Sequence, residues 1–158
     1  LGVVGEWLAT SDMAATPPTP FHRFTPTFFY EVKAFQTWVV KYGTPTMDPM
    51  TLELRAYNPV TNERTLIATS ITQWQLSEIG SDNYALKQLY FEFDQPPILR
   101  KGTEYTVNLK IPNYVGTADN HIAWVHAWND PIVAFSGALE QLSTFPFQVG
   151  IIGREVRP

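Results

Sequence analysis

The chain contains no cysteine, and that one absence removes disulfides, thiolate metal sites and cysteine nucleophiles together. Charge is scarce: 16% of the 158 residues are Asp, Glu, Lys or Arg, and a surface short of charge commonly touches something. The 11 basic residues form no run, and the net charge is −4. Duplex nucleic acid needs clustered cations to displace its counterions, so it is excluded as an expected partner. No apolar stretch approaches the roughly 20 residues of a membrane span, and no signal-peptide pattern is visible. Catalytic signatures are missing as well: there is no Gly-x-Ser-x-Gly elbow, no phosphate-binding glycine loop and no His-Glu-x-x-His. Glu53, Glu92 and Asp94 fall on strands, where the expected role is a solvated face rather than a paired-carboxylate site. The chain is therefore expected not to be an enzyme. A weaker enzymatic reading would require a cleft holding a perturbed carboxylate or histidine.

What is present in quantity is apolar and aromatic. Hydrophobic residues make up 44% and aromatics 14%, with five Trp, seven Tyr and ten Phe, ample to offset chain entropy in one domain. Thirteen Pro and nine Gly punctuate the sequence at short intervals, and the stretches between them mostly alternate with period two. Leu52, Leu54 and Ala56 share one parity against Glu53, Arg55 and Tyr57. Leu89, Phe91 and Phe93 oppose Gln88, Tyr90, Glu92 and Asp94, and Tyr105, Val107, Leu109 and Ile111 share a face. Tyr30–Tyr42 is the longest stretch and mixes parities: Val32, Ala34, Trp38 and Val40 against Phe35 and Val39. Either both its faces are covered or a bulge shifts its register.

The expectation is an all-β fold, a jelly-roll-like antiparallel β-sandwich of about eight or nine strands. Ala134–Ser143 is the one place a helical turn is expected. Residues 1–20 read as a short strand followed by a proline-rich extended arm, and 21–158 as the sandwich. The chain opens Leu1-Gly2 rather than on methionine, as expected of a processed chain or a portion of a longer one.

"LYFEFDQPPILRKGTEYTVNL", from Leu89 to Leu109, resembles a motif of jelly-roll modules: an aromatic alternating strand, a Gly-Thr turn, then Tyr-x-Val-x-Leu. Such strand pairs recur in carbohydrate-binding modules and in bacteriophage virion proteins. "HIAWVHAWNDPIV", from His121 to Val133, resembles stretches of tailed-phage structural proteins, where a strand with Trp and His runs into an Asp-Pro turn. The resemblance covers about a third of the chain. It implies a virion protein of the tail, adhesin or capsid-decoration type, with other virion proteins as partners, assembling as a homo-oligomer, a trimer by preference. The arm with Pro17 and Pro18, together with Trp7, Phe28, Phe29 and Phe145, would then be buried between subunits.

The alternative is an extracellular carbohydrate-binding module. Trp124, His126 and Trp128 share one parity, roughly 7 Å apart, and form either an aromatic platform for a sugar ring or a core face with a satisfied histidine. Tyr57 and Tyr90 lie among charged residues, so each is either a solvent-facing or interface tyrosine that a glycan could meet or an ordinary surface residue. No cofactor is expected. A structural Ca²⁺ would rest on Asp119, with Asn120 and His121 beside it, although Ca²⁺ prefers several carboxylates.

Overall fold

The computed structural model describes residues 4–8, 21–80, 85–127 and 149–157. Among them the strands are β1 (Val4–Trp7), β2 (His22–Phe24), β3 (Tyr30–Tyr42), β4 (Thr51–Asn58), β5 (Glu63–Thr69), β6 (Lys87–Glu92), β7 (Ile98–Leu99), β8 (Glu104–Lys110), β9 (His121–Ala127) and β10 (Val149–Glu155), with a single 3-10 turn at Leu76–Glu78. Every pairing is antiparallel. One sheet holds β1, β3, β6, β7, β9 and β10, and the other runs β2-β8-β4-β5.

β3 is the spine of the first sheet. Ala34 to Thr37 pair with β6 and β10 at once, and Val39 pairs with both Lys87 and Trp124, so β6 lies on one edge of β3 while β9 and β10 lie on the other. β9 and β10 follow one another along that edge as one interrupted strand. β6 and β7 do the same on the opposite edge, where Pro96 and Pro97 supply no N–H for a continuous ladder. The Val32 N–H instead reaches the Pro97 carbonyl at 2.9 Å. With each interrupted pair taken as one strand, the described residues form eight. Their order is first–eighth–third–sixth in one sheet and second–seventh–fourth–fifth in the other. That is the jelly roll.

The mixed parity of β3 resolves into a bulge. Ile152 pairs with Ala34 and Gly153 with Val32, which leaves Lys33 without a counterpart and inverts the parity beyond it. Val32, Phe35 and Val39 thereby all reach the core. The strands close up at the bulge: a Cβ on Gly153 would stand 2.0 Å from the Glu31 carbonyl oxygen, so only glycine fits.

Between the sheets, Phe24, Leu52, Leu54, Leu89, Phe91, Leu99, Val107 and Trp124 are among the buried side chains. Burial of each contributes roughly 1.5–3 kcal/mol before entropy is charged against it. Phe24 meets Phe35 edge-on at 6.2 Å and Phe35 meets Phe93 edge-on at 5.9 Å, a preferred aromatic geometry. Tyr105, 3% exposed, accepts the Arg100 N–H on its hydroxyl at 2.8 Å, anchoring the turn that leads into β8.

Candidate functional site

Trp124 belongs to the core. β9 pairs with β3 so that Trp124 faces Val39 and Ala123 faces Val40. The indole is fully buried and its N–H donates to Thr37 Oγ1 at 2.7 Å. Alternation along this strand is as expected, but the Trp124 side points inward, so this residue offers no stacking surface. The small residues Ala123 and Val125 form a second apolar cluster with Val40 and Trp38 on the other face. The His126 side chain and Trp128 lie outside the described residues.

Tyr57 and Tyr90 do not form one platform either, because β4 and β6 belong to different sheets. Tyr57 is 7% exposed, contrary to the expectation of an accessible ring. The Arg23 guanidinium lies over it at 4.6 Å and Arg64 at 5.8 Å, a cation–π stack that covers the ring. Its hydroxyl donates to Asn62 Oδ1 at 2.9 Å. Tyr90 is half-buried in β6, and desolvation, then the neighbouring Glu92 carboxylate, raises its phenol above the ordinary range.

Around Tyr57 the face of the β2-β8-β4-β5 sheet that points away from the core carries a tied polar layer. Arg23 Nε donates to Glu104 Oε2 at 2.9 Å. Glu53 Oε1 accepts from Asn108 Nδ2 at 3.0 Å and from an Arg55 guanidinium nitrogen at 3.1 Å. Arg64 also lies 4.6 Å over the Phe21 ring. Thr106 Oγ1, Asn108 Oδ1, Arg55 Nε and Arg64 Nε are buried in this layer without a hydrogen-bond partner. These atoms are closed to solvent, so the layer orders the sheet rather than presenting an open recognition surface, at some desolvation cost.

Asp119 is exposed, in a turn where the Thr117 N–H donates to the Asn120 carbonyl at 2.7 Å. Among the described residues no group of three or more His, Asp or Glu is placed to hold a metal ion. Phe28 and Phe29 are half-buried beside β3, with the Phe28 ring 5.6 Å from Tyr30. The Trp7 side chain, Pro17, Pro18, Phe145 and the Ala134–Ser143 segment lie outside the described residues.

The surface that composition alone did not locate is the sandwich edge formed by β5 of one sheet and β6–β7 of the other. Leu66, Ile67, Ile71 and Ile98 are 47%, 46%, 57% and 46% exposed there. A cleft of about 440 Å³ opens beside Ile67, lined also by Ala68, Phe93, Pro96 and Pro97 among others. A bulge explains why two consecutive apolar residues protrude: Arg55 pairs with Leu66 and Leu54 with Ala68, so Ile67 is the extra residue on β5. The sequence signal was the unalternating Thr65-Leu66-Ile67-Ala68, which breaks the period-two rule that β4 and β6 obey.

No protein-family model matches the chain, and no curated protein or solved structure gives a significant match.

Proposed function

We propose that this chain is a non-catalytic structural and interaction module of a bacteriophage particle, acting by assembly through the edge of its sandwich. The observation that carries the reading is the exposed apolar edge at Leu66, Ile67, Ile71 and Ile98. Natural sandwiches commonly protect such an edge with Lys, Pro or a covering segment, and exposed apolar side chains on an unprotected edge strand mark contact sites. The particle setting is supported by the resemblance of Leu89–Leu109, which spans β6 to β8, and of His121–Val133 to virion proteins. The glycan-binding alternative is not adopted: Trp124 is interior, Tyr57 lies beneath two arginines, and Tyr90 belongs to the opposite sheet.

An antiserum raised against the chain tests the reading on purified particles whose genome encodes it. Labelling of tail or capsid in electron micrographs, with the chain present in the particle at a fixed copy number, is the expected result. Particles that neither contain the chain nor bind the antiserum would overturn it.

A further inference from the structure

We infer that two copies of this chain pair antiparallel through β5, about a two-fold axis. The inference rests on the assembly reading above and names its partner and its surface. Among the described residues β5 is the outermost strand of its sheet and pairs only with β4, so its other edge presents backbone donors and acceptors to a partner. Its sequence, ERTLIAT, contains neither proline nor lysine.

The other described edges are less suited. β1 and β2 are four and three residues long, and Arg23 of β2 is tied to Glu104. β6 opens on Lys87 and ends on Glu92, charges of the kind that blunt an edge. β7 is two residues long and follows Pro96 and Pro97, which lack the N–H a partner strand would need.

A second copy fits β5 for two reasons. A two-fold axis through Leu66, the middle of the strand, sets Leu66 against Leu66 of the second copy and carries Glu63 and Arg64 of each copy to the far end of the other, so no like charges meet, while the bulge at Ile67 interrupts the regular ladder beyond it. The apolar surface also suits: Leu66 and Ile67, consecutive on β5 and each about half exposed, place an apolar anchor at the centre of the contact. Thr65, Thr69, Asp94 and Gln95, all exposed, supply the polar rim. The cleft beside Ile67 gives a protruding apolar side chain of the second copy a place to seat.

Sedimentation of the full chain from about 1 to about 100 µM, the range a modest interface spans, tests the pairing. The wild type is expected to pass from single-chain to two-chain mass. Ile67→Lys should weaken association at least ~10-fold, as loss of a central anchor does. Val60→Lys, at a 91% exposed turn position, should leave it unchanged.

Because the chain has no cysteine, Leu66→Cys gives a second readout that does not depend on the lysine variant folding. Under mild oxidation it should form a disulfide-linked dimer, since the two-fold brings the two Cα atoms within about 5.5 Å. A single-chain mass throughout, a three-chain mass, or unaltered association of Ile67→Lys together with no cross-link at Leu66→Cys would each overturn the pairing. A single-chain mass for a chain that particles do contain overturns the pairing alone. A two-chain mass for a chain that particles lack overturns the particle reading and supports the pairing.

Discussion

Lowering the pH should destabilise this protein through one buried imidazole. His22 lies in β2 opposite Val107, is 1% exposed, and stacks 6.1 Å from the Phe24 ring. Desolvation by burial lowers its pKa from 6.5 to about 4. The folded state thus excludes a proton that the unfolded chain binds below pH 6.5. The stability that depends on a neutral His22 is complete above that pH, is lost as pH falls from about 6.5 to about 4, and changes no further below. The shift corresponds to roughly 3 kcal/mol over the whole window and about 2 kcal/mol by pH 5.

Carboxylates also titrate as pH falls, so the test is a difference. Urea unfolding followed by tryptophan fluorescence at pH 7.5 and pH 5 compares the wild type with His22→Leu, which keeps the volume and removes the titration. Between the two pH values the wild type should lose about 2 kcal/mol more than the variant. Equal losses would refute the claim that His22 is held neutral by burial.

Trp124→Ala should destabilise by about 3–5 kcal/mol in chemical denaturation, while Thr37→Val, which removes the hydroxyl to which the indole N–H donates, should cost on the order of 1–2 kcal/mol. Gly43 has φ +67°, and a Cβ there would stand 2.3 Å from the Asp119 carbonyl oxygen. Gly43→Ala should therefore lower stability by roughly 1–3 kcal/mol, read as a fall in thermal midpoint. A double-mutant cycle on Arg23 and Glu104, whose side chains are 11% and 19% exposed, should return a coupling of about 1 kcal/mol that shrinks in high salt.

The architecture was legible because its signals are local. Gln88–Asp94 and Glu104–Ile111 alternate cleanly, and the inward residues Leu89, Phe91, Phe93, Tyr105, Val107 and Leu109 are those the core buries. The broken parity of Tyr30–Tyr42 left two readings open, covered faces or a bulge, and the structure shows a bulge opposite Gly153 together with apolar burial of Val40 on the other face. The surfaces were not legible, because they depend on which strands become neighbours. Period two shows that Trp124 and Ala123 face opposite ways, but only the pairing with Val39 makes the Trp124 side interior. Tyr57 among charged neighbours looked accessible, yet the arginines beside it lie on the ring rather than apart from it. That Leu66 and Ile67 sit on a free edge follows from the crossing order of the whole jelly roll, which no window of sequence contains.

Hydrogen–deuterium exchange of the β5 backbone, measured at low and high protein concentration, tests the assembly account most directly. In an edge strand that meets another copy, the Thr65–Thr69 amides that do not bond β4 should exchange slowly only when the chain is concentrated, with β4 and β8 protected alike in both samples. Exchange of those amides that is equally fast at every concentration would contradict it.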